Sequence, residues 1–137
     1  MRAFGRAIGR VAVAGDCFLL EGPFGGGKTT FVQGLAEGLD VKVPVSSPSF
    51  VIENQYRGRL TLYHVDLYRV ERVEPELVAS LEEHVFGDGV TAVEWAERLP
   101  DQLRDGATVL RFDLAGQGRR VQLASPDARF GRAAAAA

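Results

Sequence analysis

The run Gly22-Pro23-Phe24-Gly25-Gly26-Gly27-Lys28-Thr29 constrains the fold of this chain more than any other feature. It lies between the apolar segment 17–20 and a segment with apolar residues at helical spacing. The pattern G-x-x-x-x-G-K-[S/T] between a strand and a helix is typical of a phosphate-binding loop. Glycines let successive backbone N–H groups approach phosphate oxygens, and the helix N-terminus adds positive potential. The sequence therefore predicts a strand–loop–helix unit that binds a nucleotide.

Each part of this loop has a predicted contact with the nucleotide. Lys28 is expected to reach the outer phosphates, and the hydroxyl of Thr29 to bind Mg²⁺. The chain contains no Asn-Lys-x-Asp sequence, the usual side-chain reader of guanine, so ATP is the expected ligand. The alternative interpretation is a glycine-rich turn that merely precedes a helix. The residues expected to hold the phosphates include Gly22, Gly25, Gly26, Gly27 and Lys28.

A phosphate-binding loop also needs an acidic residue on the metal side, usually at the carboxyl end of a neighbouring apolar strand. Glu94 ends such a run and is predicted to bind Mg²⁺ directly or through water, with a surface glutamate as the alternative. Asp66 is the other candidate, either for metal or for orienting an attacking water. His64 shares a strand face with Asp66 and is interpreted as a structural hydrogen-bonding partner, with a general base as the alternative. Lys28, Asp66 and Glu94 are therefore the predicted catalytic residues.

Hydrophobic periodicity places helices and strands in a mixed order along the chain. Helical spacing occurs near the N-terminus, after Lys28 and after Pro75, and two hairpins are predicted at 51–66 and 110–123. This order predicts an α/β fold, a three-layer P-loop NTPase-like domain with a mixed parallel and antiparallel sheet. The domain is expected to span residues 1–124. Residues 125–137 are predicted to form a flexible tail, although the alanine run could extend a helix.

Composition narrows the class of protein. The 137 residues are 46% hydrophobic and 25% charged, as in an ordinary globular protein, and no apolar stretch approaches the roughly 20 residues of a transmembrane helix. The arginines of the first 13 residues are interleaved with apolar residues, which argues against a secretory signal. The cytoplasm is therefore the expected compartment. A formal net charge of -2 without a dense basic stretch argues against direct, tight nucleic-acid binding.

Four sequence blocks together resemble the bacterial TsaE (YjeE) ATPases, which take part in making threonylcarbamoyladenosine in tRNA. The block with the phosphate loop is shared by many nucleotide-binding families, whereas the last two blocks make the match specific. The blocks span most of the chain: residues 20–30, Val45-Ser46-Ser47-Pro48-Ser49-Phe50, His64-Val65-Asp66-Leu67-Tyr68-Arg69 and Val93-Glu94-Trp95-Ala96-Glu97-Arg98-Leu99.

The resemblance implies a P-loop ATPase of low activity alone that works with two protein partners, TsaB and the threonylcarbamoyl transferase TsaD. Contact with tRNA would be indirect, through that complex. By position in the family motif, the backbone amides of residues 25–30, including Thr30, would hold the phosphates. Thr29 and Glu94 would bind Mg²⁺, and Asp66 would serve hydrolysis.

The resemblance also implies roles outside the phosphate loop. Residues 46–50 would act as a mobile switch-like loop. Trp95 would lie beside the nucleotide, with ordinary core packing as the alternative. Arg119 would contact the base or ribose, with a solvated hairpin charge as the alternative. The chain begins almost at its first helix, so the segment that helps to cover the base in relatives is expected to be missing and adenine affinity to be weaker.

Three functional hypotheses remain open from the sequence. The first is an Mg²⁺-dependent ATPase whose hydrolysis drives or resets a tRNA-modifying complex. The second is a small-molecule kinase, although no segment plainly supplies an arginine-bearing lid or an acceptor pocket. The third is a non-enzymatic module in which ATP only orders the loop at 45–50 for a partner.

Overall fold

The computed structural model describes residues 1–23, 25, 27–46, 53–85 and 87–136. The helices are α1 Arg2–Val11, α2 Lys28–Gly38, α3 Pro75–Val85 and α4 Ala128–Ala136. The strands are β1 Cys17–Glu21, β2 Glu53–Tyr56, β3 Leu62–Asp66, β4 Val90–Glu94, β5 Thr108–Ala115 and β6 Gly118–Ala124. Two short 3-10 turns, Ala96–Arg98 and Asp101–Leu103, lie between β4 and β5.

The six strands form one sheet in the order β2-β3-β4-β1-β5-β6. The four inner strands are parallel, and β2 and β6 join the two edges in antiparallel hairpins. All five residues of β1 are buried, as its apolar sequence predicts for a strand covered on both faces. The mixed sheet and both predicted hairpins are therefore confirmed, although Val51 and Ile52 lie outside the described residues.

Helices cover both faces of the sheet and give the predicted three layers. On one face, Phe31 of α2 and Phe130 of α4 pack around Phe18 in a core that α1 extends through Ile8. On the other face, α3 and the two 3-10 turns pack through Leu81, Leu99 and neighbouring residues against the opposite side of β1, β3 and β4. The alternation of side chains along β1 sends even-numbered residues to the first face and odd-numbered residues to the second.

Helices α1 and α2 lie against each other at backbone distance. A Cβ added to Gly9 would lie 2.9 Å from the Cα of Gly38, and one added to Gly38 would lie 2.8 Å from the backbone nitrogen of Arg10. Side chains at these positions would separate the helices, so glycine is required for the close approach. The contact brings the start of α1 to the phosphate loop, where the Cε of Met1 lies 3.1 Å from an ideal Cβ on Gly27.

The flexible tail predicted for residues 125–137 is wrong for α4. Phe130 is only 2% exposed, and its ring meets Phe18 edge to face at a centroid distance of 5.1 Å. The guanidinium of Arg129 donates a hydrogen bond to the carbonyl of Val11 at 2.7 Å. The composition of residues 125–137 did not indicate this contact, because one aromatic side chain and one arginine hold the helix against the rest of the domain.

The helices of the described residues are too short to cross a bilayer. The longest have 11 residues, against the roughly 20 apolar residues that a span requires.

Candidate nucleotide-binding site

A cleft of about 580 Å³ opens at the carboxyl edge of the parallel strands. This is the edge at which open α/β sheets bind their ligands, and the volume lies within the usual range for small-molecule sites. The phosphate loop, the ends of β3 and β4, the β5–β6 turn and the start of α1 all contribute to the wall. The lining residues are Met1, Gly25, Gly27, Lys28, Thr29, Thr30, Asp66, Glu94, Trp95, Gln117 and Arg119.

The phosphate loop follows β1 directly and has a backbone that only glycine adopts without strain. Gly22, Gly25 and Gly27 have φ angles of 130°, 74° and 103°, in the left-handed region. Gly25 and Gly27 line the cleft, whereas Gly22 packs against the backbone of Phe112 and is not among the lining residues described. Gly26 was also predicted to hold phosphate, but it lies outside the described residues.

Lys28 begins α2 and is 5% exposed. Its ammonium donates a hydrogen bond to the carbonyl oxygen of Gly22 and lies 3.6 Å from the centroid of the Trp95 ring. Burial lowers the pKa of Lys28, and the nearby carboxylates of Glu97, Glu94 and Asp66 oppose that shift. The hydrogen bond described uses one of the three donors of the ammonium, so the lysine retains capacity to bind an anion in the cleft.

Thr29 and Glu94 meet across the cleft floor. The Thr29 hydroxyl donates to the Glu94 carboxylate, with Oγ1 at 3.1 Å from Oε1 and 3.3 Å from Oε2. Glu94 is 3% exposed and ends the fully buried strand β4. Oxygen ligands of this kind suit Mg²⁺, which usually takes one or two protein oxygens together with phosphates and water. No group of three or more His, Cys, Asp or Glu residues suited to hold a metal occurs in the described part of the chain.

Asp66 and His64 both come from β3, which pairs with β4 in parallel. The register places Asp66 opposite Glu94, and Asp66 lines the cleft with its Oδ1 accepting a hydrogen bond from the backbone N–H of Tyr68 at 2.9 Å. His64 is fully buried, and its Nε2 lies 2.6 Å from Oε2 of Glu94. The structure thus makes His64 a hydrogen-bonding partner of the acidic residue, in line with the sequence interpretation.

Trp95 follows Glu94 and has a left-handed backbone with φ of 58°, a conformation that bulky residues rarely adopt. Its half-buried ring lines the cleft, packs against the core on the α3 side and lies 5.1 Å from the ring of Tyr68. The side chain therefore lines the cleft and also packs against the core, and its position beside a nucleotide stays a prediction. Strained backbone conformations of this kind concentrate at functional sites.

The β5–β6 turn and the start of β6 contribute to the cleft wall. Arg119 lines the cleft beside Gln117, and its Nη1 donates to the carbonyl oxygen of Gly118 at 3.1 Å. The exposed Thr30 also lines the cleft, one residue into α2 from Thr29. The structure thus brings Arg119 and Thr30 to the cleft, and their contacts with a nucleotide stay predictions.

Sequence reasoning missed three residues at the site. Met1 and Gln117 line the cleft, but neither belongs to a motif that would have indicated it. Glu97 accepts a hydrogen bond from the backbone N–H of Gly22 at 3.2 Å, and it lies in the block that makes the resemblance specific. Of the predicted switch-like loop at 46–50, only Ser46 belongs to the described residues.

A protein-family model described as "Threonylcarbamoyl adenosine biosynthesis protein TsaE" matches residues 1–122. The chain belongs to the TsaE family. A TsaE protein from Treponema pallidum is 37% identical over 117 residues, covering 85% of this chain and 87% of that protein. One from Bacillus subtilis is 40% identical over 120 residues, covering 87% and 75%. Both are named tRNA threonylcarbamoyladenosine biosynthesis protein TsaE.

A solved structure agrees with this assignment to the TsaE family. The crystal structure of YdiB from Bacillus subtilis matches with a TM-score of 0.80 at 33% identity, covering 98% of this chain and 84% of that one. The resemblance inferred from the four sequence blocks and the predicted P-loop NTPase-like fold are therefore confirmed. Family membership connects the chain with threonylcarbamoyladenosine biosynthesis.

Proposed function

We propose that this TsaE-family chain binds Mg²⁺–ATP in the cleft and hydrolyses it within the cytoplasmic machinery that makes threonylcarbamoyladenosine in tRNA, acting with TsaB and TsaD. The observation that carries the proposal is the convergence of Lys28, Thr29, Asp66 and Glu94 on one cleft in a chain of this family. The fold alone would be insufficient, because P-loop folds support many activities.

The phosphates bind where the loop meets the N-terminus of α2. Glycine at positions 25 and 27 keeps the loop free of Cβ atoms where the phosphates approach, and the positive end of the helix faces the same space. Lys28 lies at this helix start with donors to spare and with its charge facing the cleft. Together these groups bind a polyphosphate and neutralise part of its charge.

The metal site is supported by the chemistry of its donors. When bound, Mg²⁺ polarises the phosphates and stabilises the charge that develops during transfer to water. The hydroxyl of Thr29 and the carboxylate of Glu94 are hard oxygen ligands that already face each other across the cleft floor. The carboxylate supplies the negative charge, and the hydroxyl anchors the site to the loop that binds the phosphates.

In this proposal Asp66 orients the attacking water. It stands beside Glu94 in the register of the parallel strands and lines the same cleft. The N–H of Tyr68 orients its carboxylate through Oδ1. A carboxylate held in this position accepts a hydrogen bond from water and points its oxygen toward the phosphate. Trp95 and Arg119 form the part of the wall that is left for the base and ribose.

The chain offers a matched pair of lysines for the decisive test, since Lys28 and Lys42 are its only two. Lys28→Ala should weaken ATP binding by about 100-fold or more, because one ion pair with phosphate in a partly buried site contributes several kcal/mol. The exposed Lys42→Ala variant should bind as the wild type does. Calorimetric titration with ATP measures both, and an unchanged affinity of Lys28→Ala would contradict the proposal.

Turnover distinguishes the proposed ATPase from the other hypotheses. ATP hydrolysis is measured for the chain alone and with TsaB and TsaD, and stimulation by the partners is expected. Intact ATP binding without turnover in either condition would instead support the nucleotide-dependent binding module. Transfer of phosphate to a metabolite in a substrate screen would support the kinase.

A further inference from the structure

His64 is a fully buried titratable group to which the proposed hydrolysis gives no role. Its side chain lies on the α2 face of the sheet, because it shares that face with Leu62 and Ala92. The ring is fully buried, yet it contacts the one acidic residue at the cleft floor. Packing alone does not explain a polar side chain at this position, because removing the His64 ring from water is unfavourable.

The two nitrogens of the His64 ring differ in their surroundings. Nε2 lies 2.6 Å from Oε2 of Glu94, whereas Nδ1 is buried without a hydrogen-bond partner among the described residues. A carboxylate that binds a cation only accepts hydrogen bonds, and we therefore assign Nε2 as the donor. The ring therefore forms one hydrogen bond, to Glu94, and its other nitrogen is buried without a partner among the described residues. A buried nitrogen without a partner destabilises the fold, so stability alone does not explain a histidine at this position.

Two side chains, those of His64 and Thr29, contact the Glu94 carboxylate, and of these only His64 contacts a single one of its oxygens. His64 approaches Oε2, and the Thr29 hydroxyl lies nearer Oε1, at 3.1 Å against 3.3 Å for Oε2. Because the buried ring of His64 holds Oε2 of Glu94, the carboxylate cannot rotate freely. Its Oε1 therefore stays beside the hydroxyl of Thr29. Ligating carboxylates in metal sites are held by outer hydrogen bonds of this kind.

We infer that His64 is a positioning residue that holds the Glu94 carboxylate in the orientation required to bind the divalent cation of the nucleotide complex. The inference rests on the proposed function, since it assigns a supporting residue to the same site. It predicts that loss of the ring donor weakens binding of the cation and leaves binding of the nucleotide itself almost unaffected, because Lys28, Gly25 and Gly27 line the cleft, whereas the fully buried His64 is not among the lining residues described.

Two substitutions of His64 and one control separate positioning from packing. His64→Leu removes the donor, and His64→Gln retains an amide N–H at about the distance of Nε2. Thr91→Val is the matched control: Thr91 is also fully buried with an unpartnered oxygen among the described residues, but it lies on β4 in the layer facing α3. If the leucine variant does not fold, His64→Asn, whose amide is too short to reach Glu94, replaces it.

The test measures Mn²⁺ binding to the protein–ADP complex by electron paramagnetic resonance and ADP binding in EDTA by calorimetry. His64→Leu should weaken Mn²⁺ by about 10- to 100-fold, the usual effect of losing an outer hydrogen bond to a metal ligand, with ADP affinity in EDTA within about threefold of wild type. His64→Gln should recover most of the Mn²⁺ affinity, and Thr91→Val should change neither quantity.

Three results would overturn the inference. The first is a Mn²⁺ affinity of His64→Leu close to that of the wild type. The second is an equal loss in the leucine and glutamine variants, and the third is a parallel fall of ADP affinity in EDTA, either of which would indicate a structural role. If the wild-type protein binds ADP but no Mn²⁺, the proposed Mg²⁺ dependence itself fails, so the two failures are distinguishable.

Discussion

Glu21 ends β1 and Glu94 ends β4, and these strands lie side by side in the sheet. Both side chains are nearly fully buried, at 7% and 3% exposure. Glu21 forms ion pairs with Arg104 at 2.5 Å and Arg111 at 3.5 Å. Glu94 instead bonds to His64 and to the hydroxyl of Thr29, and no arginine or lysine of the described residues forms an ion pair with it.

The difference between these two glutamates distinguishes a structural carboxylate from one available to a ligand. A buried charge without a compensating charge is unstable unless something else neutralises it. The arginines neutralise Glu21 within the protein, on the face that α3 covers. Glu94 lies on the other face and lines the cleft, where the nearby ammonium of Lys28 interacts with its charge without forming an ion pair with it.

The largest effect is expected from neutralising Glu94. Glu94→Gln should lower Mg²⁺-dependent ATP hydrolysis by about 100-fold or more, because a metal contact contributes several kcal/mol to the transition state. Its thermal unfolding should stay close to that of the wild type, since no ion pair with arginine or lysine is broken. Glu21→Gln is the control and should give the opposite result, with lower stability and near-normal turnover per folded molecule. Equal effects of both variants on turnover would contradict the distinction between a structural Glu21 and a Glu94 that acts in the cleft.

Asp66 tests whether the carboxylate beside Glu94 has a separate role. Asp66→Asn should reduce kcat by about 100-fold, the usual contribution of a positioned general base, while the dissociation constant for Mg²⁺–ATP changes little. Single-turnover hydrolysis and calorimetry give the two quantities. A weaker affinity with unchanged kcat would instead assign Asp66 to the metal, the alternative left open by the sequence.

The arginines around Glu21 should differ in their contribution to stability. Arg104 is 26% exposed and also donates to the carbonyl of Ala96 at 2.6 Å, whereas Arg111 is 55% exposed. Arg104→Ala should therefore lower the free energy of unfolding by about 1–3 kcal/mol, and Arg111→Ala by less than about 1 kcal/mol. Urea denaturation measures both. A similar loss for the two variants would show that burial does not decide the strength of these pairs.

The smallest effect concerns Cys17, which begins the strand that Glu21 ends. Burial, with a smaller contribution from Asp16 and opposed by Arg104, raises the pKa of Cys17 to about 12. The thiol of the unfolded chain ionises near pH 8.5, so the stabilisation is complete below that pH and is lost as the pH rises toward 12. The free energy of unfolding should fall by about 1 kcal/mol between pH 8.5 and 9.5.

A Cys17→Ala variant isolates this contribution, because it removes the only thiol of the chain. Its unfolding free energy should lack the alkaline decrease that the wild type shows over the same range. Rapid reaction of the native wild-type thiol with a disulfide reagent would contradict the burial on which the prediction depends.

The sequence was sufficient for the elements that local pattern controls. The all-apolar segment 17–20 predicts a strand, the glycine loop predicts the junction with α2, and the helical spacing after Pro75 predicts α3. It was insufficient at the C-terminus, where a tail rich in alanine is a helix anchored through Phe130 and Arg129. Local composition does not reveal a contact with residues more than 100 positions away.

The sequence by itself determined that a glycine-rich loop joins a buried strand to a helix, because glycine spacing and hydrophobic period are local properties. It also identified Asp66 and Glu94 as acidic strand ends. Only the tertiary structure decided that β3 and β4 are parallel neighbours, so that these carboxylates and Thr29 line one cleft and the buried His64 contacts Glu94. It also decided that arginines reach Glu21 and not Glu94, since strand order and side-chain direction depend on how the whole sheet packs.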